Sequence, residues 1–279
     1  MLCKSLSLRT RWGAAALALA TAAIASPAPV QANDLLVAPT RVVLEGSRGT
    51  QVILNNIGTE EATYRISLEL RRMTADGGLE EVEIPNETEE AALGMIRYAP
   101  RRVVLPPNQP QAIRIGARAP EGLPDGEYRV HMLFRAIPRP RSAAEQQEEA
   151  SGEGFQIRLI PIYGVTIPII VRHGSLSATA AIANPRIVGE NGGQAIAFDL
   201  SRQGDRSTYG QVTITRPGVD VPLARARGVA VYPEIGHRSV TIPVSEEFQG
   251  SIAGPVRIQY REPDSVGGGL IAEVEAVLR

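Results

Sequence analysis

The side chains that could carry out catalysis are few in this sequence, and they lie far apart. Its three histidines, His131, His173 and His237, do not have the spacing of a metal site. Neither a G-x-S-x-G nucleophile motif nor a phosphate-binding glycine loop is present. The acidic residues between Glu80 and Glu90 fall in a predicted loop, without the apolar shielding that tunes catalytic carboxylates. The sequence therefore predicts no enzyme, no metal site and no cofactor.

A cleaved secretion signal is predicted over residues 1–32. Basic residues precede a short apolar segment at 12–24, and small residues stand at the predicted cleavage point after Ala32. That apolar segment is too short to span a bilayer, and no later segment approaches the length of a membrane helix. We therefore expect a protein that is exported to the periplasm and is not inserted in the membrane.

The predicted mature chain carries no thiol and a mild negative charge. The only cysteine is Cys3, inside the predicted signal, so no disulfide is expected. The signal also holds Lys4, Arg9 and Arg11, and subtracting these from the 29 basic residues leaves 26 against 30 acidic ones. Such a balance gives no electrostatic reason to expect nucleic acid as a partner. Lys4 is the only lysine in the whole chain.

Short alternating apolar segments, bounded by Gly, Pro, Asn and Asp, recur along the rest of the chain and predict an all-β fold. In the first half the candidate strands are Leu35–Leu44, Gln51–Asn55, Thr63–Met73, Val103–Leu105, Gln111–Ala117 and Gly126–Ile137. In the second half they are Leu176–Ala183, Gln194–Leu200, Gln211–Thr215, Gly228–Tyr232, Ser239–Val244, Gly254–Tyr260 and Leu270–Leu278. This spacing predicts two immunoglobulin-like sandwich domains, at 33–172 and 173–279.

Two segments interrupt the strand pattern. Ala75–Leu93 is acidic and is predicted to be a loop or hairpin with one helical turn near Glu89–Leu93. Pro138–Gly154 has little apolar content and is predicted to be a connector without a fixed structure.

The most informative segment is 155–172, which alternates over a length well beyond that of an ordinary strand. Its odd positions are all apolar, from Phe155 to Val171. Pro161 and Pro168 favour an edge strand, because proline cannot donate a ladder hydrogen bond. A long apolar edge invites pairing with another chain. A core strand bent at the two prolines fits the pattern equally well.

The order of motifs across residues 35–172 resembles the PapD-like periplasmic pilus chaperones. The opening LLVAPTRVVLEGSRGTQVILNN is similar to their first two strands. The segment starting at Tyr98, YAPRRVVLPPNQPQAIRI, and the one starting at Leu123, LPDGEYRVHMLFRAIP, are similar to later strands of the same domain. The long alternating strand then follows in the family's order, whereas the second domain matches only in size and strand pattern.

The resemblance implies a function in pilus assembly and a cleft between the two domains. Family members lend their long strand to a pilin subunit that lacks one (donor-strand complementation), before an outer-membrane usher receives the subunit. Arg41 matches the arginine that holds the subunit's C-terminal carboxylate. The lending residues implied here are Ile157, Leu159, Pro161 and Tyr163, with Phe155 and Val165 as flanks.

The sequence departs from the family at one position of this site. The family pairs its cleft arginine with a lysine late in the long strand, and the corresponding place here is near Ile167–Ile169. Arg158 and Arg172 are candidate substitutes, although neither matches the position.

The alternative to a chaperone is a secreted structural or adhesive module built from tandem immunoglobulin-like domains. Such a module accounts equally well for export, β pattern and acidity. It does not account for an apolar edge strand, because adhesins need protected edges.

Overall fold

The computed structural model describes residues 34–46, 48–139, 162–190 and 193–279, which form two β-sandwiches. Most of these residues lie in strands, and this confirms the all-β prediction. The predicted signal over 1–32 lies outside the described residues, as does the predicted connector from residue 140 onward.

The first sandwich packs two sheets around an aliphatic core. Its strands are β1 (Leu35–Ala38), β2 (Val42–Glu45), β3 (Thr50–Asn56), β4 (Ala62–Glu69), β5 (Arg71–Met73), β6 (Leu79–Glu81), β7 (Ile96–Ala99), β8 (Arg102–Leu105), β9 (Gln111–Ala117), β10 (Gly126–Ile137) and β11 (Gly164–His173). One sheet has the order β1-β3-β9-β7 and the other the order β2-β11-β10-β4-β8. In most strands of these two sheets alternate residues are buried in the core between them, as the period of two requires. β5 and β6 form a separate two-stranded sheet.

The predicted single strand Leu35–Leu44 is wrong, because the chain changes sheets within it. β1 pairs with β3 in one sheet, and β2 pairs in parallel with β11 in the other. The residues at 39–41 connect them. Both strands bury alternate residues in the same core, so the alternation in the sequence carries no sign of the change.

The acidic segment forms a hairpin and a helix. β5 and β6 are the arms of the hairpin, and α1 (Glu87–Met95) follows. Asn86 caps the helix: its side chain accepts a hydrogen bond from the Glu89 amide, and the Glu89 carboxylate accepts one from the Asn86 amide. This capping box extends the helix beyond the single turn that was predicted.

The second sandwich has one sheet of three strands and one of four. Its strands are β12 (Ala178–Glu190), β13 (Gly193–Gly204), β14 (Thr208–Thr215), β15 (Ala224–Val231), β16 (His237–Pro243), β17 (Gly254–Arg261) and β18 (Leu270–Leu278). The sheets have the orders β12-β13-β16 and β15-β14-β17-β18, and they enclose a core of their own. A short 3-10 turn, Asp264–Val266, lies in the loop between β17 and β18.

A small apolar cluster joins the two sandwiches. It consists of Met73 and Ile170 from the first sandwich, with Ala230 and Tyr232 from the second. Beside it, the hairpin tip contacts the second sandwich directly, since the Ser239 amide donates to the Ala75 carbonyl at 2.8 Å. These contacts hold the two sandwiches in a defined relative position.

Candidate functional site

β11 is an interior strand over one half of its length and an edge strand over the other. It pairs with β10 throughout, but with β2 only over Ile169–Arg172. Among the described residues, no strand pairs with the other side of Gly164–Pro168. The interpretation of an edge strand therefore fits Gly164–Pro168, and the interpretation of a core strand fits Ile169–Arg172. We call the unpaired side of Gly164–Pro168 the open edge.

The hydrogen-bond pattern determines which backbone groups face the open edge. Ala136 donates to the Tyr163 carbonyl at 2.9 Å, so every second residue from Tyr163 onward bonds to β10. The residues in between, Gly164, Thr166 and Pro168, turn their backbone groups to the open edge. Because proline has no N–H, Pro168 at this position removes no hydrogen bond from the β10–β11 ladder.

The side chains along this segment pass from solvent into the core. Tyr163 is 40% exposed, and Val165 is half-buried against the first core. Ile167 and Ile169 are fully buried in that core. Five of the sequence-predicted residues lie outside the described part of the chain: Phe155, Ile157, Arg158, Leu159 and Pro161.

Arg41 lies at the junction of the two sandwiches, in the segment that joins β1 to β2. Its Nη1 donates to the Tyr232 hydroxyl at 3.1 Å, and its Nη2 donates to the Ser207 hydroxyl at 3.2 Å. The guanidinium carbon lies 4.3 Å from the centre of the Tyr209 ring, a cation–π contact. All three partners belong to the second sandwich and are neutral.

A second arginine in the cleft, Arg172, is held by two carboxylates. Its Nε lies 3.3 Å from Glu127 Oε2 and its Nη1 lies 3.6 Å from Glu45 Oε1. Glu127 is fully buried and also accepts hydrogen bonds from the Ser207 amide and hydroxyl. Ser207 therefore connects the two arginines, since it receives a bond from Arg41 and gives two to Glu127.

These residues border a cleft of about 870 Å³ between the sandwiches. The first sandwich lines it with Arg41, Val43 and Arg172, among others. The second adds residues of β12, β14 and β18 and of the loops before β14 and before β18. The second-sandwich residues Arg206 and Tyr209 belong to this lining, and the sequence gave no reason to single them out.

A two-pronged ion pair crosses the domain interface beside the cleft. Arg129 makes two contacts with Glu234, from Nη2 to Oε1 at 2.5 Å and from Nη1 to Oε2 at 3.1 Å. The Arg129 guanidinium also lies 3.7 Å from the centre of the Tyr232 ring. Glu234 accepts a further hydrogen bond from the Met73 amide at 2.8 Å. The tyrosine whose hydroxyl binds Arg41 is thus also in contact with Arg129.

His131 is buried on β10. Neither nitrogen of its ring has a hydrogen-bond partner among the described residues. Burial, with Arg129, Arg71 and Arg41 nearby, lowers the pKa of His131 to about 3. The imidazole is therefore neutral at physiological pH.

No cluster of three or more His, Cys, Asp or Glu side chains arranged for a metal occurs among the described residues. Within the same residues, no helix has the length and apolar character needed to cross a membrane.

Comparisons with known proteins return structural matches only. No family model matches the sequence, and no curated protein does. The structure is similar to the class 5 fimbriae chaperone CfaA, with a TM-score of 0.45 and 14% identity over 88% of this chain and 99% of that one. It is similar to the E. coli chaperone DraB (TM-score 0.45, 15% identity, 88% and 96% covered) and to Pseudomonas aeruginosa CupB2 (0.43, 15%, 88% and 100%). At such identity, function has to be argued from this chain's own residues.

Proposed function

We propose that the protein is a periplasmic chaperone for pilus subunits. It binds a subunit by strand addition at the open edge and holds the subunit's C-terminal carboxylate at Arg41. The subunit then passes to an outer-membrane usher. The motif order across residues 35–172 supports this proposal, together with the geometry of β11 and Arg41.

The observation that carries the proposal is that the open edge ends at Arg41. β2 runs parallel to β11, and its first paired residue, Val42, lies opposite Ile169. Arg41 directly precedes Val42, so a strand added along Gly164–Pro168 lies in line with β2. When that strand runs in the same direction as β2, its C-terminus arrives at Arg41.

The chemistry of Arg41 suits a terminal carboxylate. A guanidinium stays charged and can bind both carboxylate oxygens at once. Its present partners are the hydroxyls of Tyr232 and Ser207, and a carboxylate is the stronger acceptor. The Tyr209 ring lies against the guanidinium and restricts its orientation.

The lending residues of the proposal are Ile157, Leu159, Pro161 and Tyr163, with Phe155 and Val165 as flanks. In the sequence they share the odd positions of the alternating segment with Ile167 and Ile169, which are buried in the first core. Their side chains would fill the groove of a subunit that lacks a strand. Each could contribute about 1.5–3 kcal/mol before the costs of association.

The test is affinity purification of the tagged protein from the periplasm of its own host. We expect a small β-rich subunit to be recovered, and Arg41→Ala to lower its recovery by about tenfold or more, given that charge-assisted pairs are strong. Arg225→Ala is the matched control, because Arg225 is an exposed arginine on β15, outside the lining of the cleft. Equal recovery with both variants, or no subunit with the wild type, would contradict the proposal.

A further inference from the structure

The second sandwich supplies its own cation to the cleft. Arg206 precedes β14, is half-buried and lines the same cleft as Arg41. Its guanidinium forms no hydrogen bond or ion pair with any described residue, whereas that of Arg172 is bound by two glutamates. Among the described residues, Arg41 and Arg206 are therefore the two cleft arginines without a carboxylate partner.

The acidic side chains near the cleft form no ion pair with Arg41 or Arg206 among the described residues. Glu45 lies at its border but is paired with Arg172. Glu262 lines it too and has no cationic partner among the described residues. Counted together, Arg41, Arg172 and Arg206 are balanced by Glu45, Glu127 and Glu262, so the region has no net charge. An anion is instead favoured locally, because the Arg41 and Arg206 guanidinium groups have no carboxylate partner among the described residues and Glu45 and Glu127 are both engaged by Arg172.

An apolar wall lies in the same cleft. The loop between β17 and β18 brings Val266 and Leu270 to it, at 66% and 52% exposure, and Val43 is partly exposed in the lining from the first sandwich. Gly267, at φ 109°, and Gly268, at φ 65°, allow the sharp turn that places Val266 there. Exposed apolar side chains beside unpaired cations fit a ligand with both characters.

We propose that the second sandwich completes a pocket for the C-terminal residue of the subunit. Arg206 binds the terminal carboxylate together with Arg41, and Val266 and Leu270 receive an apolar last side chain. This inference rests on the proposed function, and it names the ligand as a chain end with an apolar final residue. It also assigns Arg206 the place of the second cation, which the stretch Ile167–Ile169 of β11 lacks.

The test uses fluorescein-labelled peptides of eight residues that end in Leu, either as the free acid or as the amide, in fluorescence polarisation. The wild type should bind the acid about tenfold or more tightly than the amide, since the ion pairs require the carboxylate. Arg206→Gln should weaken binding of the acid by about fivefold or more and leave the amide unchanged. The matched control, Arg225→Gln, should bind both peptides as the wild type does.

A second arm tests the apolar wall with a peptide that ends in Ser in place of Leu. The wild type should prefer Leu by about threefold or more, as burial of an apolar side chain requires. The pair Val266→Ser and Leu270→Ser should abolish this preference, while Val277→Ser, an exposed valine at the far end of β18, should keep it. If the double variant still prefers the peptide that ends in Leu, the assignment of Val266 and Leu270 to the last side chain is refuted.

The outcomes separate the two proposals. If the acid preference depends on Arg41 but not on Arg206, the anchor stands and the role of Arg206 is refuted. If Arg206→Gln weakens acid and amide equally, its role is structural and the inference fails. A wild type that does not distinguish acid from amide, or binds neither, counts against the anchor and this inference together.

Discussion

Ser207 donates two hydrogen bonds to the same oxygen of Glu127, from its amide at 3.1 Å and from its hydroxyl at 2.9 Å. Glu127 belongs to the first sandwich and Ser207 to the second, so these bonds cross the domain interface. The hydroxyl also accepts a bond from Arg41. Because its proton is directed at Glu127, its lone pairs are left for the arginine. The orientation of Arg41 thus depends on a carboxylate that it does not touch.

Glu127→Gln should destabilise the protein by about 2–3 kcal/mol, because the change removes one partner of a buried pair and leaves Arg172 with the exposed Glu45 alone. Chemical denaturation of the purified variant measures this. Glu45→Gln is the control and should change the free energy of unfolding by less than about 0.5 kcal/mol, since its side chain is 71% exposed. Equal effects of the two substitutions would contradict the network.

Arg41→Lys should retain only part of the affinity for a subunit. Lysine keeps the charge, but it loses the two-pronged geometry and the flat contact with the Tyr209 ring. We expect the dissociation constant of the purified subunit to rise by about fivefold to tenfold, less than for Arg41→Ala. Biolayer interferometry measures it. A lysine variant that binds the subunit as tightly as the wild type would show that the positive charge alone suffices for binding.

His131 should make stability fall in acid. Its pKa of about 3 in the folded state lies below the ordinary value of 6.5, so below pH 6.5 the unfolded chain binds a proton that the folded protein does not. Between pH 7 and pH 5 this costs about 2 kcal/mol, and the loss continues until the pH approaches the folded value. His131→Gln should remove this component from denaturation curves measured across the range. In the control His237→Gln, where His131 is intact, the wild-type dependence should persist.

The strand prediction succeeded where turn residues bound an alternating segment. β9 and β10 have the predicted limits, Gln111–Ala117 and Gly126–Ile137. The strand prediction failed after β1, where the chain changes sheets, because the alternation of apolar residues continues unchanged across that point. The helix at Glu87–Met95 did have a signal, the Asn86 and Glu89 spacing of a capping box, which was not recognised.

Only part of the candidate site could be predicted from the sequence. The PTRVV motif pointed to Arg41, and alternation pointed to β11. The partners of Arg41 are Ser207, Tyr209 and Tyr232, far along the chain in a domain without recognisable motifs. Their approach depends on how the two sandwiches pack, and that packing has no pattern in the sequence.

Tyr163→Asp distinguishes a strand that pairs with a subunit from a strand that only supports the fold of the first sandwich. Tyr163 is 40% exposed beside the open edge, so the substitution should change the free energy of unfolding by no more than about 0.5–1 kcal/mol. Subunit capture should be lost, because binding would force an unpaired carboxylate into an apolar groove.

The matched control is Ile167→Asp, four residues further along the same strand face. Ile167 is fully buried in the first core, so this variant should lose several kcal/mol of stability or fail to fold. Thermal unfolding and subunit capture are measured side by side on both variants.

The expected result is a Tyr163→Asp protein that melts like the wild type and no longer captures subunit. If Tyr163→Asp unfolds the first sandwich, Tyr163 supports the fold. If it folds and still captures subunit, the lending strand lies elsewhere. Either result would refute the role proposed for Tyr163 at the open edge.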